Sequence, residues 1–223
     1  MTSAAIQQRI GLDSSLTTTL GVGVTPMGTP ATHQRMHSAE SVEWYTPRDV
    51  VDAAREVMGS IELDPASCRE ANENVRATRI YTREDDGFAQ RWEAATAWLN
   101  MPYGKSEDDN KSNQARWSQK MIDAHRAGRV EQACVLVNAV PGNKWFDPLW
   151  QFPICFIRGR LHLIPPAGSD PKNSPTHSSC VVYLGPNVER FAEVFGRLGT
   201  VVLPMQVVQV RAQLSLLDTG RAA

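Results

Sequence analysis

The sequence predicts an α/β fold, in which helices pack against a central β-sheet. Short apolar runs of strand length alternate with longer segments whose apolar residues recur at helical spacing. The chain has 223 residues, which suits one domain large enough to bury a core, and no internal repeat indicates a repeat architecture. We predict three regions: a leader over residues 1–38, a folded domain over 39–209 and a tail over 210–223.

The leader is distinguished by its composition. It is rich in Thr, Gly, Ser and Pro, and no apolar period persists in it. The first helix is predicted to start where this composition ends. Thr46 is a suitable N-cap, Pro47 suits the first helical position, and Asp49 is an acid in the first turn. The apolar face of this helix comprises Val50, Val51, Ala54, Val57 and Met58, and Gly59 ends it.

The remaining elements follow from short apolar runs and from helical periods that stop at glycine. We predict strands at residues 61–63, 77–81, 95–99, 132–137, 152–157 and 201–203, and helices at 114–127 and 187–198. The segments 160–164 and 179–184 are expected to pair as a hairpin across the polar loop 165–178. Residues 68–77 are expected to form a loop without glycine.

Composition sets limits on location and partners. The formal net charge of −1 neither indicates nor excludes nucleic acid, because a local basic stripe is enough to engage phosphates. Cys134 and Cys155 lie in apolar runs and are expected to be reduced core residues. The histidines and cysteines show no zinc-binding spacing, and no apolar stretch approaches twenty residues. These features predict a cytoplasmic protein without a metal.

Residues 98–104, Trp-Leu-Asn-Met-Pro-Tyr-Gly, carry the most specific chemical pattern in the chain. Pro102 ends the preceding strand because proline has no N–H for a strand ladder. Asn100 and Tyr103 therefore lie at the carboxyl end of a strand, where ligands bind in open α/β sheets. An asparagine oxygen and the next backbone carbonyl can accept both hydrogens of one amino group, beside an aromatic ring that stacks on a base. The pattern predicts a site for an NH2 group on a planar ring.

This segment resembles the Asn/Asp-Pro-Pro-Tyr motif of amino-group DNA methyltransferases. Other segments match in family order, namely residues 43–47, 62–67, 85–88, 145–146 and 154–160. Over about residues 40 to 205 the chain resembles the phage-type N6-adenine DNA methyltransferase family, the short Dam-like enzymes of bacteriophages and prophages. The resemblance implies a Rossmann-like methyltransferase fold with a mixed, mostly parallel sheet. It also implies S-adenosyl-L-methionine as cofactor, double-stranded DNA as partner and a role in DNA methylation.

The resemblance also implies a cofactor site. Its residues are Trp44, Tyr45, Thr46, Pro47, Asp64, Pro65, Asp86 and Phe88. Asp64 would face the ammonium of the methionine moiety, and the helix start at Thr46 would attract its carboxylate. An acid of the pair Asp85 and Asp86 would accept from the adenine amine, with Asp86 the better match to the family.

For catalysis the resemblance implies Asn100, Met101, Pro102 and Tyr103. A target adenine would be flipped out of the duplex, Asn100 and the Met101 carbonyl would hold its N6, and Tyr103 would stack on it. Met101 departs from the usual proline, so lower activity or a decayed enzyme that only binds cofactor or DNA is an alternative. Other planar substrates, namely cytosine N4, RNA and protein glutamine, also remain open. Recognition of DNA is expected from loops 104–116 and 165–178.

Overall fold

The computed structural model describes residues 44–106, 110–165 and 177–204. These residues belong to one compact unit that spans Ala39–Ala223. The predicted leader and tail, residue 43 of the first matching segment and most of the polar loop 165–178 lie outside the described residues.

The described residues form one seven-stranded sheet with helices on both faces. The strands are β1 (Leu63–Asp64), β2 (Arg79–Ile80), β3 (Ala94–Asn100), β4 (Val130–Asn138), β5 (Ile154–Ile157), β6 (Ser179–Leu184) and β7 (Gly199–Val202). The helices are α1 (Arg48–Met58), α2 (Arg69–Val75), α3 (Asn113–Arg126) and α4 (Val188–Phe195), with a 3₁₀ helix at Lys144–Gln151.

The strand order is β2-β1-β3-β4-β6-β5-β7. The first four strands of the chain pair in parallel, whereas β6 and β7 run antiparallel to their neighbours. Two antiparallel pairings separate β4 from β5, so β5 points in the same direction as β4. The sheet is therefore mixed and mostly parallel, which confirms the predicted α/β fold class.

Alternate strand residues fill two cores, one on each face of the sheet. Trp98 and Leu136 pack with α1 and α4 on one face, where the helices contribute Val51 and Phe191. Ala97 and Leu99 pack with α3 and the 3₁₀ helix on the other face. Each central strand is thus covered by helices on both faces, which explains why these strands are almost uniformly apolar.

The predicted hairpin between residues 160–164 and 179–184 is wrong. β6 lies between β4 and β5 and pairs with both of them. Every residue of β6 is buried, so the strand requires neighbours on both edges as well as on both faces. In residues 160–164, buried Leu161 and Leu163 alternate with exposed residues, and the segment bridges Tyr45 through Ile164.

Two local predictions near the start of the domain are also corrected. Residues 68–77 contain the helix α2, whose N-cap is Cys68, with the thiol accepting from the Ala71 amide at 3.4 Å. Helix α1 begins one residue later than predicted, with Pro47 at the N-cap and no side-chain cap. The Thr46 hydroxyl therefore does not cap the helix, and its oxygen is buried without a hydrogen-bond partner in the described part of the chain.

One glycine brings two of the predicted motifs into direct contact. Gly87 packs so closely on the backbone after β1 that a Cβ atom built on it would lie 1.9 Å from the Pro65 carbonyl oxygen. The Trp92 indole donates to the Gly87 carbonyl at 2.8 Å and holds the segment from the other side. The segment 85–88 therefore approaches Asp64-Pro65 only because residue 87 has no side chain.

Replacing Gly87 by alanine should destabilise the protein. The added methyl group forces the Pro65 carbonyl away, and overpacking of this kind costs roughly 1–3 kcal/mol or more. Gly142 offers a matched control, since a Cβ there meets nothing within 4 Å. Gly142→Ala should leave the free energy of unfolding within about 0.5 kcal/mol of the wild type. Urea denaturation of both variants measures the difference, and equal stabilities would contradict the close approach at Gly87.

Candidate functional site

A cleft of about 540 Å³ opens at the carboxyl edge of β1 and β3. Its walls include all but one of the predicted site residues, namely Trp44, Tyr45, Thr46, Asp64, Pro65, Asp86, Phe88, Asn100, Met101, Pro102 and Tyr103. The exception is Pro47, which forms the N-cap of α1. The volume is within the range of sites that hold small molecules and cofactors.

The register of β1 and β3 explains why these residues meet. Leu63 lies opposite Ala97 in a parallel pair, so Asp64 and Asn100 end their strands at the same edge of the sheet. Trp98 forms part of the cleft wall between the two strand ends and is 1% exposed. The cleft therefore lies where neighbouring parallel strands end, which is the usual ligand position in open α/β sheets.

Asp64 is a buried carboxylate at this edge. It is 2% exposed, and its Oδ1 accepts from the Ala66 amide at 3.2 Å. Burial raises the pKa of Asp64 to about 7, although hydrogen bonds from Ala66 and Ser67 act in the opposite direction. Near neutral pH the side chain can therefore hold a proton, or it can ionise beside a bound cation.

The amide of Asn100 has a defined orientation. Its Nδ2 donates to the backbone carbonyl of Trp44 at 2.9 Å. Because that carbonyl can only accept, the NH2 group must face Trp44 and the oxygen must face away. Asn100 Oδ1 is buried and has no hydrogen-bond partner among the described residues. Asn100 therefore contributes an oriented but unused acceptor to the cleft.

Thr46 presents a second unused polar atom in the same cleft. The residue is 4% exposed, and its hydroxyl oxygen is buried without a partner in the described structure. Next to it, the Cys68 thiol contacts the Tyr45 hydroxyl at 3.5 Å, which joins the start of α2 to the residues before α1. Leaving a buried polar group unpaired costs about 1–3 kcal/mol, which a ligand that pairs with it recovers.

The two neighbouring acids at residues 85 and 86 have different environments. Asp85 closes a turn by accepting from the amide and hydroxyl of Thr82 at 2.8 and 2.9 Å. Asp86 is exposed, adopts a φ of 49°, and lines the cleft. Asp86 Oδ1 also accepts from a backbone amide, that of Ala89 at 3.3 Å, so what distinguishes the two acids is that Asp86 lines the cleft and Asp85 does not.

Phe88 is held in a fixed position at the cleft by cations and an aromatic neighbour. The guanidinium of Arg116 lies 4.3 Å from its ring centroid and the ammonium of Lys120 lies 5.0 Å from it. The ring of Trp117 is 5.3 Å away. Burial lowers the pKa of Lys120, whose ammonium also donates to the Gln90 carbonyl at 2.7 Å. Phe88 also lines the cleft, so a planar ligand would meet an aromatic side chain there.

Met101 and Tyr103, two residues of the predicted catalytic motif, differ in their packing. The Met101 side chain is 2% exposed and belongs to the core beneath α3, although the residue also lines the cleft. The Tyr103 ring is half-buried, and burial raises the pKa of its phenol, so the hydroxyl stays neutral. Met101 thus presents a backbone to the cleft and a side chain to the core.

Several cleft residues were not among the residues predicted for cofactor binding or catalysis, although part of the cleft wall belongs to loop 104–116, from which DNA recognition was expected. These residues include Ser67, Cys68, Gly87, Trp98, Ser106, Asn113, Arg116 and Trp117. Arg116 and Trp117 lie in the first turns of α3, the helix that follows β3. The sequence contains a signal that could have identified Arg116 and Trp117. They begin the helix that follows a predicted strand, and such a helix starts at the carboxyl end of that strand, where ligands bind.

The described residues contain no group of three or more side chains that would suit a metal ion. No helix in that part of the chain is both long and apolar enough to cross a membrane.

Comparison with known proteins agrees with the cleft geometry. No curated protein matches the sequence. A family model described as DNA N-6-adenine-methyltransferase (Dam) matches residues 34–220, which is most of the chain. The match includes every segment that forms the cleft. This chain belongs to the DNA N-6-adenine-methyltransferase (Dam) family.

Proposed function

We propose that this protein transfers a methyl group from S-adenosyl-L-methionine to the N6 nitrogen of adenine in double-stranded DNA. The observation that carries the proposal is the oriented, buried and unpartnered Oδ1 of Asn100 at the edge of the cleft. The family match supports both the reaction and the methyl donor. The resemblance to short phage enzymes extends the proposal to a phage or prophage gene.

The residues of the cleft fit the proposed cofactor. An ammonium group beside Asp64 would favour the ionised carboxylate in a place where burial alone disfavours it. The unpartnered Thr46 hydroxyl can donate to a carboxylate near the start of α1, where free backbone N–H groups also favour an anion. Asp86 can accept from an adenine amine, and Phe88 provides a flat surface beside it. When bound, S-adenosyl-L-methionine supplies an electrophilic methyl group on a sulfonium.

The catalytic motif positions the acceptor nitrogen. Asn100 Oδ1 and the Met101 carbonyl accept the two N6 hydrogens of a flipped adenine, and Tyr103 stacks on its ring. These acceptors matter most when the nitrogen gains positive charge, because they stabilise its hydrogens as they become more acidic. The Trp44 carbonyl contributes indirectly, since it fixes the amide orientation of Asn100.

Nucleoside mass spectrometry of duplex DNA treated with the purified protein and cofactor tests the proposal. We expect N6-methyladenine. N4-methylcytosine alone would reassign the substrate, and tight cofactor binding without methylated DNA, RNA or protein would establish a non-catalytic role.

Cofactor affinity should depend on the ionisation of Asp64. The pKa of Asp64 is about 7 in the ligand-free protein, and binding of an ammonium requires the ionised form. Affinity for S-adenosylhomocysteine should therefore rise about tenfold per pH unit between pH 5 and about 6.5 and level off near pH 7. Isothermal titration calorimetry at each pH measures this slope.

The matched variants are Asp64→Asn and Asp85→Asn. Asp64→Asn should bind weakly at every pH, whereas Asp85→Asn should keep the wild-type slope because Asp85 only closes a turn. The stability of the protein without ligand should also depend on this carboxyl. Between about pH 4 and pH 7 the folded wild type retains a proton on Asp64 that the unfolded chain releases, so the free energy of unfolding should fall as the pH rises. Asp64→Asn has no ionisable group at this position and should lack this contribution. A pH-independent affinity in the wild type would contradict this role of Asp64.

Replacing Asn100 should separate catalysis from binding. Asn100→Ala removes the oriented acceptor, and loss of one such interaction in the transition state lowers turnover about 10²- to 10³-fold. The stabilisation of the protein by S-adenosylhomocysteine should remain, because Asp64 and Thr46 are unchanged. Steady-state methylation and thermal shifts measure both effects. Near-native turnover would show that Asn100 is structural.

The buried side chain of Met101 should matter for stability rather than for chemistry. Met101→Leu conserves volume and should cost less than about 1.5 kcal/mol. Met101→Pro gives the common family motif and keeps the backbone carbonyl, but it removes core contacts and should cost about 2–5 kcal/mol. Methylation per folded molecule should be retained in both variants. A folded Met101→Pro protein with a large loss of turnover would indicate a different backbone path at this site.

A further inference from the structure

The carboxyl ends of β3, β4 and β5 lie at the same end of the sheet as the cleft. β3 and β4 are parallel, and β5 has the same direction because two antiparallel pairings separate it from β4. The segments that follow β3, β4 and β5 therefore emerge at the same end of the sheet, with β6 between β4 and β5. β5 lies three strand positions from β3, a separation of about 14 Å.

The segment after β5 runs back along this edge to the cleft. Residues 158–164, here called the strap, end at a two-way backbone pairing in which Tyr45 and Ile164 exchange hydrogen bonds of 2.8 Å. Trp44, the neighbour of Tyr45, accepts from Asn100 of β3. Six residue steps of extended chain reach about 20 Å, which is enough to cross from β5 to β3.

The strap has an inner and an outer side. Leu161 and Leu163 are 8% and 6% exposed and pack in the core with α1 and α4. Arg158, Arg160 and His162 are exposed on the outer side. The buried leucines anchor the strap, so its arginines are held at the edge of the sheet rather than on a loose loop.

Charge is segregated in this region of the chain. Asp147 is the only acidic residue between Glu131 and Asp170 in the sequence, although the whole chain has a formal net charge of −1. Lys144 follows β4 and is exposed in the first turn of the 3₁₀ helix. The edge beside the cleft therefore carries cations from two adjoining segments. We call Lys144, Arg158 and Arg160 the basic ledge.

We propose that the basic ledge binds the phosphate backbone of duplex DNA next to the adenine that enters the cleft. This inference rests on the proposed function. Arginine guanidinium groups pair with phosphate oxygens in a two-pronged geometry, and lysine adds a point charge. The separation of about 14 Å between β3 and β5 corresponds to roughly four base-pair steps of 3.4 Å, so the ledge lies at phosphates flanking the target.

The opposite end of the sheet, where β3 and β4 begin, provides a control. Arg91 precedes β3 and pairs with Glu93 at 3.2 Å, and Arg126 ends α3 and donates to Gln151 at 2.6 Å. Both arginines are exposed, as are those of the ledge. They carry the same charge as the arginines of the ledge but lie away from the cleft. A decrease in DNA affinity that depended only on net charge would therefore be equal in variants of the two sites.

The experiment measures binding of the full chain to a fluorescent DNA duplex over a series of salt concentrations, with S-adenosylhomocysteine present. For Arg158→Gln/Arg160→Gln, the slope of log affinity against log salt should fall by about 1.8, or about 0.9 for each lost phosphate contact. Lys144→Gln should lower it by about 0.9. Arg91→Gln/Arg126→Gln should keep the wild-type slope. The decrease in slope should be similar for duplexes of unrelated sequence, because contacts to phosphates do not depend on the identity of the bases.

Three results from the variants would overturn the proposed role of the basic ledge. These are an unchanged slope in the ledge variants, an equal loss in the control variant, and a loss confined to one DNA sequence. A wild type that fails to bind the duplex would also overturn it. The thermal shift with S-adenosylhomocysteine should be unchanged in all variants, which shows that they are folded and that the cofactor site is intact. Methylation of DNA by the wild type is measured separately, so failure of the ledge and failure of the proposed function remain distinguishable.

Discussion

Leu63 of β1 lies opposite Ala97 of β3, and this parallel register decides which side chains meet at the edge of the sheet. It brings Asp64 and Asn100 to adjoining strand ends. A shift of one residue would turn Asp64 toward the other face, because side chains alternate along a strand. The close approach of Gly87 to Pro65 and the bond from Asn100 to Trp44 both depend on this alignment.

The cleft concentrates polar groups that are poorly satisfied by the protein itself. Asp64 is buried with a raised pKa, and the oxygens of Thr46 and Asn100 lack partners in the described structure. Such groups are uncommon in folded interiors because each one lowers stability. Their presence together in one cleft is consistent with the proposed function, because a ligand with complementary charge and hydrogen-bonding groups would pair with them and raise the stability of the protein.

The sequence predicted the parts of the fold that depend on local pattern. The runs at 95–99 and 132–137 are apolar because these strands are covered on both faces, and they were recognised for that reason. Helix α2 was missed because it is short and buries only Val75, so it has no apolar period to detect. The false hairpin arose because the alternation of Leu161 and Leu163 is the same in a strap as in a strand. A strap and a strand differ in the segment with which they pair, and that segment can lie far away in the sequence, as Tyr45 does from Ile164.

The residues proposed for catalysis and for cofactor binding could be named from sequence motifs, whereas the orientations of their side chains could not. The motif indicates an asparagine at a strand end, but only the structure gives the Trp44 carbonyl that orients its amide. The core position of the Met101 side chain and the separate environments of Asp85 and Asp86 likewise depend on tertiary packing.

The pairing of Tyr45 with Ile164 joins residues separated by more than half the length of the chain. Closing so long a loop is entropically costly, so contacts of this kind form late in folding. The walls of the cleft should therefore be completed only after the sheet has assembled. Local opening should also begin there, and the amide hydrogens of these two residues should exchange with solvent sooner than those of β4, which is paired on both sides. A ligand that contacts both Thr46 and Asn100 would hold this long-range closure in place and slow that exchange.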